Sequence, residues 1–378
     1  MRQELDQLLD EATARSPDAV GRSATATAIQ AAVWRDGTWL YRGTHGVRRI
    51  DPLRPVEDDT PFDLASLTKP IAAATLAMQA VGEARIEWRD PVGEHLDGWP
   101  SSDEHPKADV TILQLLNHTS GLPDWRPFHE DYPFEPGEAR AERTRRRILD
   151  AIADTDLLDR PGRTECYSDL GYIVLAPVLE RALGRPFPRL VESRVVEPLG
   201  LDSLAFSLAW EPRGDLETAA VTEDQPERGG PLVGRVHDRN ASVLGGASGH
   251  AGLFGTATDV ARFGRHLLEV EAGDADRPIV PPAALDFAWS DRARGGTGHH
   301  LAGWDTPSGD RSSAGRGFSA GRTVGHLGFT GTSIWIERRT RTVAVLLTNR
   351  VFPTRDNDRI DDLRIAFHET VIPPPDAE

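Results

Sequence analysis

Apolar positions along this chain fall into strand-like runs at both ends and a helical middle. Near the start, residues 26–34 and 38–44 are apolar-rich and separated by Arg35-Asp36-Gly37. Asp-Gly between two such runs is a strong hairpin signal. Near the other end, residues 324–327, 331–338 and 342–350 read as strands, the last two joined around Arg339-Thr340-Arg341. Between these ends the period is helical, over residues 110–117, 138–153, 170–182 and 187–196. Further helices are expected over 258–270 and 358–371, and a charged amphipathic one opens the chain over 1–11. Residues 211–234, rich in Gly, Pro, Glu and Asp, read as a long excursion over the surface, and 295–321 as loop. The economical fold is α/β: the two ends meet in one antiparallel β-sheet flanked by helices, with an inserted, mostly helical domain. Residues 1–65 and 245–378 then form the sheet domain and 66–244 the helical one.

Composition narrows the function. At 378 residues, 39% hydrophobic, with a mean hydropathy of -0.41, the chain reads as a soluble protein. No apolar run is long enough for a transmembrane helix, and the first residues lack the apolar core of a signal peptide. A cytoplasmic location is therefore expected. Acidic residues outnumber basic ones by 59 to 43, for a net charge of -16, the opposite of a nucleic-acid binder. Cys166 is the only cysteine, which rules out an intrachain disulfide and reads as a small buried packing residue. Histidines in 236–240 and 249–250 offer no helix-spaced pair and read as loop residues that cap and line a cleft. No metal and no cofactor is expected.

The chemistry centres on residues 62–70, Phe-Asp-Leu-Ala-Ser-Leu-Thr-Lys-Pro. They open a small-residue helix expected to begin near Ser66, since Pro70 is tolerated only in a first turn, and to run to about Val81. Ser66 and Lys69 then share a helix face. The serine sits at the positive end of the helix dipole, where an oxyanion is stabilised. Only two of the 43 basic residues are lysines, Lys69 and Lys107. Arginine cannot act as a base, whereas a buried lysine shifts its pKa readily, so a lysine kept here points to chemistry.

Two other stretches offer company. In residues 166–172, Tyr167 and Asp169 stand at a helix start, and a phenol beside a lysine can relay protons. In residues 325–333, read as strand, glycines mark close approach of another backbone. An N–H from Phe329 with that of Ser66 would make a two-donor oxyanion hole.

Ser66-Leu67-Thr68-Lys69, Tyr167-Ser168-Asp169 and His326-Leu327-Gly328, in that order, resemble the serine β-lactamase/penicillin-binding-protein superfamily. They look closest to the class C β-lactamase-related serine hydrolases, and residues 115–122, 249–254 and 303–307 agree with that group. The resemblance implies Ser66 as nucleophile, Lys69 as its base, Tyr167 as proton relay and His326 as the electrostatic element on the strand. Gly328 and Phe329 fall to the oxyanion side and Asp169 to acyl binding. Two departures stand out: Asp169 replaces an asparagine, and His326-Leu327 replace the Lys-Thr that holds a substrate carboxylate. An ionised Asp169 near Lys69 would raise the lysine pKa, leaving open whether Lys69 or Tyr167 is the main base. The expected activity is a carboxylesterase or amidase acting through an acyl-enzyme on a small ester, amide or peptide. Cell-wall muropeptide or D-amino-acid peptide hydrolysis comes next, then weak β-lactamase activity. A catalytically silent peptide-binding relative is the non-enzyme alternative. Neither nucleic acid nor membrane is an expected partner, and oligomeric state is left open.

Overall fold

Asp36 and Gly37, with φ of 40° and 88°, form the two-residue turn that the Asp-Gly signal calls for. They join the strands Ala28–Arg35 and Thr38–Arg49, with Arg35 opposite Thr38. The structure is a computed structural model that describes residues 1–374 other than 15, 103, 135, 136, 212, 297 and 310. Ala28–Arg35 also pairs antiparallel with Thr342–Thr348, so the two ends of the chain meet at the centre of a sheet. Ser333–Glu337 and then Thr323–Leu327 extend that sheet to one edge, and the short strand Arg54–Pro55 closes the other.

Both faces of this sheet are covered, which is why its central strands are apolar at successive positions rather than alternate ones. Ala28, Ala32 and Trp34, with Val343, Val345 and Leu347, face a core shared with the helix Ala257–Ala272 and the helical block. Ile29, Ala31 and Val33, with Ala344 and Leu346, face the terminal helices Arg2–Glu11 and Ile360–Val371 through Leu5, Leu9, Leu363 and Phe367. Helices Glu138–Asp154 and Asp169–Leu183 lie where their periodicity places them, the second ending on left-handed Gly184. Among the described residues, no helix is long and apolar enough to cross a membrane.

Three expectations need correction. The Ser66 segment does not begin as an α-helix: Ala65–Leu67 is a 3₁₀ turn, Lys69–Ala74 is π-wound, and regular α-helix runs only over Thr75–Gly82. The strand carrying His326 stops at Leu327, so Gly328 and Phe329 lie in a turn, closed by Gly328 N–H donating to Thr332 O at 2.8 Å. The 211–234 excursion is not merely superficial, since Ala219, Ala220, Val221 and Thr222 are buried. Its backbone donates from Ala220 to Pro61 O and from Val221 to Arg48 O. The helix Pro282–Ala288, not expected from the pattern, starts on a proline at its first position.

Asn349 ties three of these parts together. Its Oδ1 accepts from Thr27 and Ala28 N–H at 3.1 and 2.8 Å, and its Nδ2 donates to Thr27 Oγ1 and Val221 O at 2.8 and 2.9 Å. Replacing Asn349 by leucine should strand buried partners on the sheet and the excursion at once. A loss of roughly 3 kcal/mol is expected from urea unfolding; a loss under about 1 kcal/mol would show that the excursion is held by other contacts.

Candidate active site

Ser66 sits in a turn that is fixed from several directions. Ala65 before it adopts φ +48°, a left-handed conformation that a non-glycine residue holds only when its surroundings enforce it. Those surroundings are visible. The buried Asp63 carboxylate accepts the Ala65 N–H at 2.9 Å and the His237 N–H at 2.7 Å. Thr68 Oγ1 donates to Ala65 O at 2.7 Å. Thr330 and Thr332, in the turn after His326, donate their hydroxyls to Asp63 O and Leu64 O at 2.7 and 3.0 Å.

Side chains three apart eclipse in a 3₁₀ turn, so the tighter winding helps bring Lys69 onto the serine. Lys69 Nζ is 2.9 Å from Ser66 Oγ and 2.6 Å from Asp169 Oδ1, with the His250 carbonyl at 3.4 Å. The lysine is fully buried, which disposes of a surface role. Asp169 starts the helix Asp169–Leu183, where the dipole favours a carboxylate. Burial alone would strip the proton from Lys69, but Asp169 and the Tyr167 oxygen outweigh it and hold its pKa above the ordinary lysine value.

Tyr167 lines the cleft with 38% of its surface exposed, its ring 4.7 Å from Lys69 Nζ. Although partly exposed, its phenol has a raised pKa, pushed up by the surrounding protein while Lys69 pulls the other way. The phenol oxygen also interacts with the Ser66 hydroxyl. The His118 ring packs on Tyr167 at 4.4 Å between centroids, and His118 Nδ1 accepts the Ser168 N–H at 2.9 Å. Burial first, then the charges around it, push His118 well below the ordinary histidine pKa, so it is neutral.

On the facing side, His326 is 2% exposed and lies 6.0 Å from Tyr167 between ring centroids. Its Nδ1 meets Leu327 O at 2.8 Å, while Nε2 is buried without a partner. Burial and then the Lys69 charge depress its pKa well below the ordinary value, so His326 too is neutral. Gly328 presses on the Ser66 turn. A Cβ there would fall 2.0 Å from Thr332 Oγ1 and 2.7 Å from Leu64 O. Behind it, the buried Arg364 donates to Gly328 O and Thr332 O, both at 2.8 Å. Phe329, 48% exposed, lies against His237, with centroids 5.6 Å apart.

These residues surround a cleft of about 1270 Å³. Of the residues singled out from sequence, Ser66, Tyr167, Asp169, His326, Gly328 and Phe329 all line it, with Lys69 directly beneath. His237, Asp238 and His250 line it as well. His250 bonds Asp238 Oδ1 and Ser248 Oγ, both at 2.9 Å. Burial opposes the charge on Asp238, but His250 and the Ala241 N–H hold its carboxyl below the ordinary range.

Sequence reasoning missed His118 and the group Glu165, His299, His300 and Asp305. His300 and His299 approach Glu165 Oε1 at 2.9 and 3.2 Å, and Asp305 is bridged to Gly325 on the His326 strand. The His-His doublet inside an expected loop was the available signal. Glu165, His299 and His300 bring three ligand atoms within 4.8 Å of one another, as do Asp169, Asp238 and His250. In both groups histidine nitrogens already bond to carboxylates of the same group. Cys166 is half-buried and free.

This fold and this cluster define a serine hydrolase. The sequence model of the Beta-lactamase family matches residues 5–368, and the chain belongs to that family. It is 31% identical to "Esterase EstB" of Burkholderia gladioli over 345 residues, 85% of this chain and 86% of the relative. Solved structures share the fold. "EstCE1, a hydrolase with promiscuous acyltransferase activity" aligns with a TM-score of 0.71 at 22% identity, covering 97% of this chain and 99% of its own. A "Beta-Lactamase/D-Alanine Carboxypeptidase" from Pseudomonas syringae aligns at 0.69 and 18%, covering 98% and 99%.

With only two lysines in the chain, the Lys69 charge can be read directly by NMR of nitrogen-labelled lysine. Lys69 should titrate above the ordinary value of 10.5 and Lys107, whose ammonium is disfavoured by burial, below it. Asp169→Asn removes the nearest anion and should lower the Lys69 pKa; an unchanged value would mean the pair does not set it. Because the folded pKa lies above the unfolded one, the pair adds stability below about pH 10, and that stability is lost as pH rises through the folded value.

Proposed function

We propose that the chain hydrolyses esters or amides through an acyl-enzyme on Ser66, with Tyr167 rather than Lys69 as the group that takes the serine proton. The observation that carries this is the 2.6 Å contact between Lys69 and Asp169. An ammonium held so firmly has no lone pair for a proton. Its charge beside Tyr167 pulls toward the phenolate, against the burial that leaves the phenol above its ordinary value, so the phenolate is the minor form that reacts.

Ser66 Oγ attacks the acyl carbon while Tyr167 accepts its proton. The N–H groups of Ser66 and Phe329, across the Gly328–Leu64 contact, receive the developing oxyanion, each such donor being worth about 3–4 kcal/mol. As the tetrahedral species collapses, the bond to the leaving oxygen or nitrogen breaks and Tyr167 returns the proton to it. Water then enters and the same relay runs in reverse to free Ser66. Lys69 stays positive throughout, positioned by Asp169 and the His250 carbonyl. In this scheme His326, being neutral, shapes the cleft rather than supplying charge.

Carboxylesterase or amidase activity ranks first, since a neutral His326 and an apolar Leu327 offer no clamp for a substrate carboxylate. EstB, a relative named as an esterase, is consistent with it. Peptide donors, including D-amino-acid and cell-wall peptides, are the second reading. The cleft favours them, because 1270 Å³ exceeds the roughly 300–1,000 Å³ of common small-ligand sites. β-Lactams come last for want of that clamp.

A fluorophosphonate probe should label Ser66, and Ser66→Ala should abolish labelling and p-nitrophenyl ester turnover; an unlabelled wild-type protein ends the acyl-enzyme reading. Rates on p-nitrophenyl esters, muramyl peptides and nitrocefin should then fall in that order. Both Lys69 and Tyr167 lie above their ordinary values, so the base form gains population as pH rises. For ester hydrolysis, kcat/KM should climb by up to about tenfold per unit above neutrality. Tyr167→Phe should lower kcat by roughly 10²–10⁴ and flatten that slope. A Tyr167→Phe enzyme with an unchanged slope would return the base role to Lys69.

A further inference from the structure

The cleft is built from acceptors where an acid-binding site would present donors. The clearest case is His326. A carbonyl oxygen only accepts, so the 2.8 Å contact with Leu327 O puts the ring proton on Nδ1. Nε2, at the far corner of a cleft-lining ring, then carries a lone pair, and it is buried with no partner. A buried acceptor left without a donor is costly, and a substrate N–H would relieve it.

The second case is the pair Asp169 and Asp238. Both line the cleft, and with His250 they bring oxygens and nitrogen within 4.8 Å of one another. Ionised carboxylates accept only, so neither can donate to a substrate carbonyl. Lys69 serves Asp169 and His250 serves Asp238, each on Oδ1. Across the whole cleft, eight carboxylates stand against four guanidiniums. The guanidiniums are committed elsewhere: Arg239 to Glu227, Arg355 to Glu223, and Arg350 and Arg364 to backbone carbonyls.

We infer that the cleft selects acyl donors bearing a protonated amine close to the scissile carbonyl, held between Asp169 and Asp238 with an N–H turned toward His326 Nε2. The inference rests on the acyl-enzyme reading above and narrows it to aminoacyl esters and peptides with a free amino end. It also explains why an aspartate can stand at position 169: an anion there recognises a cation as well as fixing Lys69.

The test uses matched p-nitrophenyl esters on the wild-type enzyme: alanine with a free amine, its N-acetyl counterpart, and the anionic hemisuccinate. The free amine should give a kcat/KM at least about tenfold above both others near pH 7, with the advantage shrinking as salt is added. In Asp169→Asn the free-amine to N-acetyl ratio should fall toward one; if that variant is inactive, the wild-type ratios decide alone. Equal rates, or a preference for the N-acetyl ester, overturn the inference. A preference for the hemisuccinate also overturns it and moves the substrate carboxylate to Arg364, whose Nε is buried without a partner. Fluorophosphonate labelling keeps the two levels apart. Labelled Ser66 with no amine preference sinks only this inference, whereas unlabelled Ser66 removes the acyl-enzyme reading and this one with it.

Discussion

The ion pair between Lys69 and Asp169 is the constraint on which the site depends. Its members are 100 positions apart in sequence, one on the Ser66 segment and the other at the start of the helix Asp169–Leu183. Burying a cation completely is expensive, and removing one partner of such a pair typically costs about 3–5 kcal/mol. The structure meets that cost with acceptors on several sides: Asp169, Ser66 Oγ, the His250 carbonyl, and the faces of Tyr167 and Tyr172 at 4.7 and 5.4 Å. The same charge reaches outward. Burial is the main cause that keeps His118 and His326 neutral, and the Lys69 charge adds to it at both rings.

Around this pair the backbone is held rather than merely placed. Ala65 sits at positive φ because Asp63, Thr68 and the two threonines of the Gly328 turn leave it little alternative. Such strain is retained where the surroundings over-determine it, and here it aims the Ser66 hydroxyl into the cleft. Arg364 extends the bracing to the terminal helix by gripping Gly328 O and Thr332 O. Donors fixed in advance need not reorganise when charge develops, which is where most electrostatic catalysis is gained. The sheet, the terminal helix and the Ser66 turn are therefore tied together by hydrogen bonds.

Local rules read from sequence hold wherever local chemistry decides the outcome. Asp36-Gly37 makes its turn, and the doubly covered strands show as apolar-rich runs, broken in Ala28–Arg35 by Gln30. The Ser66–Lys69 pairing follows from spacing alone. What escaped was set by tertiary contact. The 3₁₀ and π winding over Ala65–Ala74 is one such feature, and the close approach of Gly328 to Leu64 is another, which no periodicity encodes. The 211–234 excursion reads as surface by composition, yet its backbone is claimed by Arg48, Pro61 and Asn349. His118 lies just past the helix expected over 110–117, and only the fold brings it against the Tyr167 ring.

Asp169 connects these themes. An asparagine there would donate to a substrate amide and leave Lys69 free to lose its proton. In the proposed scheme the aspartate does the reverse on both counts: it keeps Lys69 charged, which leaves the proton relay to Tyr167, and it puts an acceptor where a donor would stand beside the acyl group. The loss of cationic character at His326-Leu327 points the same way, since both ends of the site then lack what a substrate carboxylate needs. Base assignment and substrate polarity are thus not separate problems here. In the proposed scheme both follow from one carboxylate 2.6 Å from one buried ammonium.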